Sequence, residues 1–129
     1  MRKILVDTNF LLMQYEYGID LPGELMRIIN GPFVLLVASG TFNEVKILAK
    51  RAGKKAMAAR FILSNIDKIK EKFGVETIPS EGAVDDWIIK YARNNEVTVA
   101  TNDLRLRARL RGIKVPVIGM KSKAKLEFI

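Results

Sequence analysis

The chain has 129 residues, 49% hydrophobic and 28% charged, with a net charge of +8 from 22 basic and 14 acidic residues and neither Cys nor His. These values suit one globular domain over 1–129, with a basic tail from about 120 to 129, and argue against disorder. They exclude disulfides, thiolate sites, Cys nucleophiles and the commonest general base and zinc ligand, so any chemistry must run on carboxylates, hydroxyls, amides, Lys and Arg. No apolar run approaches a membrane span, the first strand turns acidic too soon for a signal peptide, and a Cys-free chain fits the cytoplasm. The charge favours a polyanionic partner, nucleic acid ahead of membrane, because no basic amphipathic helix with exposed aromatics stands out. General solubility is the bland reading of the same number.

Residues 3–6 form the first predicted strand, an apolar run ending in Ile4-Leu5-Val6 and then Asp7-Thr8-Asn9. Such a run reads as a strand buried on both faces of a parallel sheet. Phe10, Leu11, Leu12 and Tyr15 predict a helix stopped near Gly18, and Leu21-Pro22 begins another that ends at Asn30-Gly31. Phe33 to Val37 is a second apolar strand. Ser39-Gly40-Thr41 opens a helix that Gly53 interrupts, and a third helical stretch runs to about Phe73-Gly74. Val75 to Ile78 is a shorter strand. Val84, Trp87, Ile88, Tyr91 and Ala92 follow the i, i+3, i+4, i+7, i+8 spacing of an amphipathic helix. Val97 to Thr101 is a strand, Leu104 to Leu110 a helix and Val115 to Ile118 a last strand, with the basic stretch from Lys121 to Lys125 expected to fray. Alternating strands and helices predict an α/β fold, Rossmann-like and three-layered, around a parallel sheet of about five strands.

Right-handed crossovers place every strand's carboxyl end on one edge, where open α/β sheets bind ligands. That edge receives Asp7 and Asp103 at strand ends, Glu44 early in a helix, and Asp85 and Asp86 in a helix's first turn. Each has a bland reading. Asp7 and Asp103 suit helix N-caps, Thr41-x-x-Glu44 has the form of a capping box, and Asp85-Asp86 complement a helix dipole. At ~100° per residue, however, Asp85 falls between Ala92 and Ile89, inside the apolar arc, whereas Asp86 points away. Glu44 falls between Ile47 and Leu48. A carboxylate on a buried face is costly unless paired, hydrogen-bonded or bound to a metal.

Two unit charges 4 Å apart repel by ~4 kcal/mol at an effective dielectric near 20, so converging carboxylates must hold protons or cations. Oxygen-only ligands suit Mg²⁺ or Mn²⁺, which also meet substrate phosphates. With no His, water activated by such an ion is the favoured nucleophile. Acid cluster, basic surface and phosphate-seeking metal together point to phosphodiester hydrolysis. The catalytic and metal-ligand candidates are Asp7, Glu44, Asp85 and Asp103, with Asp86 a neighbour or outer ligand. Thr8, Asn9, Thr101 and Asn102 are supporting candidates, or turn residues only. Arg105, Arg107, Arg109 and Arg111 flank a Leu106/Leu110 stripe and are candidates for the nucleic-acid backbone, or merely cover the core.

On Leu5-Val6-Asp7-Thr8-Asn9, Glu44, Asp85-Asp86-Trp87-Ile88 and Ala100-Thr101-Asn102-Asp103-Leu104, in that order, the whole chain resembles the PIN-domain nucleases. The resemblance implies a Rossmann-like parallel sheet, a Mg²⁺/Mn²⁺ site built from the acids, and endoribonuclease activity that prefers single strands. Known branches include toxins of toxin–antitoxin pairs and ribosomal RNA processing nucleases. The acid doublet and the arginine-rich helix look more like the processing branch, although the zinc-binding extension of some processing members is missing. The expected partners are RNA, a second copy in a homodimer, and an antitoxin or a ribosome-assembly factor, with no membrane. Two rivals stand beside this reading: a non-catalytic RNA-binding module, and an aspartyl phosphotransferase or receiver domain. The latter usually adds a second acid at the first strand end, where Thr8-Asn9 stand here.

Overall fold

The computed structural model describes residues 1–72, 74–122 and 124–129. Phe73, expected near a helix end, and Lys123, in the basic tail, lie outside the described residues. The elements run β1 (Arg2–Val6), α1 (Thr8–Glu16), α2 (Leu21–Ile28), β2 (Phe33–Ala38), α3 (Ser39–Ala49), α4 (Lys54–Lys72), β3 (Gly74–Ile78), α5 (Val84–Asn94), β4 (Thr98–Ala100), α6 (Leu104–Gly112), β5 (Val117–Ser122) and β6 (Lys125–Phe128). Among the described residues no helix is long and apolar enough to cross a membrane.

The sheet order is β3-β2-β1-β4-β5-β6. Every pairing is parallel except β5 with β6. The apolar runs explain the centre. Ile4, Leu5 and Val6 of β1 are fully buried, and all six residues of β2 are buried. Alternation sends Ile4, Val6 and Leu35 into a core with Phe10, Leu12 and Ile62, whereas Leu5 and Leu36 face a second core with Ile88, Val99 and Leu106. Helices therefore cover both faces, giving three layers, and each such side chain contributes about 1.5–3 kcal/mol by leaving water. The strand order reverses at β1, so the β1/β4 crevice is the switch point where ligands of such sheets bind.

The C-terminal stretch departs from expectation. Rather than fraying, the chain turns through Ala124 at φ 63° and returns as β6, antiparallel to β5. Leu126 is fully buried, its N–H donates to Glu24 Oε1 at 2.9 Å, and its carbonyl accepts from Arg27 Nη2 at 2.7 Å. Among the described residues the sheet thus has six strands, the sixth antiparallel. Lesser shifts follow local bonds: β5 begins at Val117, not Val115, because the Val115 N–H closes α6 on the Leu110 carbonyl.

Candidate active site

Asp7 ends β1 and caps α1. Its Oδ1 accepts from Phe10 N–H at 2.7 Å, and its Oδ2 accepts a short hydrogen bond from the Thr101 hydroxyl. Asp103 caps α6, accepting from the N–H groups of Arg105 and Leu106 at 2.8 and 3.1 Å. The fully buried Thr101 joins the two, because its hydroxyl oxygen also accepts from Asp103 N–H at 3.0 Å. Both acids are therefore helix caps and also neighbours across the switch point.

A second tie sets the opposite wall. Ser39 Oγ accepts from Ser80 N–H at 2.9 Å, and Ser80 Oγ accepts from Gly40 N–H at 2.9 Å. These bonds draw the first turn of α3 against the loop before α5. A Cβ on Gly40 would lie 3.0 Å from Ser80 Oγ and 3.1 Å from Val84 Cγ2, so a larger residue there would press both back. Beneath it the Thr8 hydroxyl donates to Thr41 Oγ1 at 3.2 Å, both residues being buried. Asp7, Thr8, Asn9, Glu44, Ala83, Val84, Asp85 and Asp103 consequently line one cleft of about 300 Å³. A larger recess of about 800 Å³, at the other end of the strands, has Glu96 as its one carboxylate.

Burial, opposed by the bonds from Thr101 and Phe10 and assisted by Asp85 and Asp103, pushes the Asp7 carboxyl up to about 6. Burial and then the charge of Asp103 also raise Asp85. Among the described residues no three carboxylates approach closely enough to hold a metal ion between them. The donors nevertheless fit a hard divalent ion by their chemistry: all are oxygens, they come from four elements onto one cleft, and Mg²⁺ keeps several waters while taking one or two carboxylates directly. The raised Asp7 carboxyl is the electrostatic cost that a cation would relieve.

Several expectations need correction. Thr41 and Glu44 form no capping box: α3 starts at Ser39, its N-cap Ala38 has no side chain bond, and Glu44 sits in the second turn. Glu44 is exposed, and its neighbour Ile47 is itself 53% exposed, so burial was the wrong reason to single it out although it lines the cleft. Asp85, in the first turn of α5, is likewise exposed although Ile89 and Ala92 on either side of it are buried. Asp86 turns from the cleft and pairs with Arg109 at 2.9 Å.

Asn102 points elsewhere as well. Its Oδ1 accepts from Met120 N–H at 2.7 Å and from Arg107 Nη2 at 3.1 Å, and its Nδ2 meets Met13 Sδ at 2.9 Å. The half-buried Arg107 also donates to the Thr101 carbonyl at 3.2 Å. Both residues brace β4 against β5 and α6. Asn102→Ala is expected to lower stability by about 1–3 kcal/mol, since Met120 N–H and Arg107 lose a partly buried acceptor. Thermal melting checks this, and an unchanged transition returns Asn102 to a supporting role at the cleft. Of the other arginines, Arg105 and Arg109 flank Asp85, Asp86 and Asp103, whereas Arg111 lies on the far side of α6 beside Lys114 and Ile129. Lys55 was not anticipated; its ammonium donates to Asn9 Oδ1 at 3.2 Å, bringing α4 to the cleft edge. The Lys54-Lys55 pair directly after Gly53 was the available signal.

Comparison with known proteins agrees with this geometry. The family described as "PIN like domain" matches residues 4–123. Ribonuclease VapC4 of Methanocaldococcus jannaschii is 33% identical over 131 aligned residues, which cover 98% of this chain and 96% of that one. The solved PIN domain endonuclease Utp24 superposes with a TM-score of 0.76 at 23% identity, covering 98% of this chain and 90% of that chain, a likeness of fold. On the extent of the family match and the identity to a full-length relative, the chain belongs to the PIN-domain nuclease family.

Proposed function

We propose that this chain is a Mg²⁺- or Mn²⁺-dependent endoribonuclease that hydrolyses phosphodiester bonds in single-stranded RNA. The observation that carries the reading is the convergence of Asp7, Glu44, Asp85 and Asp103, from four separate elements, on one cleft at the switch point. RNA as substrate is supported by the relative named a ribonuclease and by the net charge of +8. Asp7, Glu44, Asp85 and Asp103 would hold the ion. When bound, it supplies a Lewis acid for a phosphoryl oxygen and activates water at neutral pH.

The chain's own residues do the rest. Thr101 and Phe10 N–H fix the Asp7 carboxyl in one orientation. Asp103 and Asp85 stand across the cleft, and Arg105 at its rim positions phosphate. Arg105→Ala is expected to weaken RNA binding and to reduce the slope of log affinity against log salt by ~0.7, one single-strand phosphate contact. An unchanged slope removes Arg105 from the interface.

The deciding assay is cleavage of labelled single-stranded RNA with Mg²⁺, with Mn²⁺ and with chelator, beside the Asp7→Asn protein. Cutting that needs metal and Asp7 supports the reading; RNA binding without cutting makes the chain a binding module. Ribosomal RNA processing and toxin-type cleavage are two uses of this chemistry. Of the doublet and arginines that suggested processing, Asp86 is engaged with Arg109, and Arg107 with Asn102 just after β4. Growth arrest relieved by the product of a neighbouring reading frame would mark the toxin use, with that product as partner.

A further inference from the structure

We propose that Trp87 and Tyr91 form a stacking subsite for an unpaired base of the RNA strand, next to the cleavage cleft; this rests on the nuclease reading above. The two rings lie 5.0 Å apart between centroids and 23° from parallel. Both are half-buried, with one side against the core of Ile88 and Val99. Both also line a cavity of about 610 Å³ together with Ser80, Asp86, Lys90 and Asn94.

Continuity with the acid cleft identifies the occupant. The acid cleft shares Asp85 and Asp103 with a depression that holds Arg105 and Arg109. That depression shares Asp86 with the aromatic cavity. A strand leaving the acids thus crosses Arg105, then the Arg109–Asp86 pair, before it meets the two stacked rings and Lys90. Alternating cations and aromatic faces are what single-stranded nucleic acid takes: cations for the backbone and a ring for each base. Asp86 is the acid in this path, and its charge is already met by Arg109 at 2.9 Å. Glu81, at the cavity's loop, is the remaining acid, so the phosphate falls to Lys90, one turn beyond Asp86. A base must leave its partner to enter, so the subsite selects single strands over duplex. Stacking tolerates any base, because every base has a π-face.

Trp87 is the chain's only tryptophan, so its fluorescence reports this site alone. The experiment titrates the full chain, in chelator, with single-stranded DNA oligonucleotides of two and of eight nucleotides and with an eight-base-pair duplex, while RNA cleavage is assayed in parallel with Mn²⁺. The eight-nucleotide strand is expected to quench Trp87 saturably, with the dinucleotide and the duplex giving little. Lys90→Ala and Tyr91→Leu are each expected to weaken that binding by about tenfold. Quenching without cleavage would keep the subsite and sink the hydrolytic reading. Cleavage with no change at Trp87 would keep the nuclease and overturn the subsite. Equal quenching by the dinucleotide, or by duplex, also overturns it. So does a fluorescence shift that follows protein concentration without oligonucleotide, which would mean a second copy covers the rings.

Discussion

Asp7→Asn is expected to give a folded protein that no longer cuts RNA and, at neutral pH without metal, melts above its parent. The Asp7 carboxyl is raised from 3.8 to about 6 by burial, so the folded state holds its proton more tightly than the unfolded chain does. The sign follows from linkage. Below pH 3.8 the group is protonated in both states and costs nothing. As pH rises through the window up to about 6, the unfolded state loses the proton first, and folded stability falls. The shift of about two units corresponds to a cost of no more than about 3 kcal/mol, complete above the folded value.

Asn keeps the shape and can still accept from Phe10 N–H, but its amide N–H2 then faces the Thr101 hydroxyl, which can no longer donate to it, so the variant removes the burial cost of the charge at the expense of that one bond. Melting of parent and variant in chelator at pH 4.5 and 7 should show the parent losing stability relative to the variant across that window. The difference matters because Glu24, lowered by its bond from Arg27, works in the opposite sense in both proteins. With Mn²⁺ the parent should gain melting temperature and the variant should lose most of that gain. If Asp7 serves only as a cap, the variant will cut RNA and keep the full metal stabilisation, and the site described here is wrong.

The acid doublet supplies the second large effect. Asp85 lines the cleft with Asp7 and Asp103, whereas Asp86 stands outside it in an exposed pair with Arg109. Asp85→Asn is expected to lower kcat/KM by at least about 100-fold, the scale for removing one preorganised charge at a reaction centre. Asp86→Asn forfeits a pair worth at most about 1 kcal/mol, roughly fivefold if all of it is expressed in RNA binding. Single-turnover cleavage of one labelled RNA by both variants, with melting curves to verify folding, separates them. Equal losses would show that both carboxylates serve the ion.

Much of this was legible in the residues. Unbroken apolar runs in β1 and β2 leave no polar face, so those strands had to lie inside a parallel sheet, and acids directly after such strands had to meet at the carboxyl edge. The period of α5 named three of its four buried residues, Val84, Ile88 and Ala92, and the half-buried Trp87 and Tyr91. These are local properties, carried by side-chain alternation and helical spacing, and they persist in any fold that buries the pattern.

Tertiary structure decided the rest, because the deciding partner lies far along the chain. β6 has one fully buried residue, Leu126, among charged neighbours and forms because Glu24 and Arg27 of α2, about a hundred residues away, hold its backbone. A helical wheel separates Asp85 from Asp86 by angle, but it does not show that Asp85 stays exposed on the cleft while Asp86 meets Arg109. Arg107 and Arg105 look alike in sequence. Arg107 is drawn inward by Asn102 and the Thr101 carbonyl and its guanidinium lies over Gly119, where a Cβ would sit 2.1 Å from Nη2 and displace it. Arg105, with no such pocket, remains at the rim beside the acids. Periodicity sets which way a side chain leaves its own element; what it finds there depends on packing between elements that have no sequence proximity.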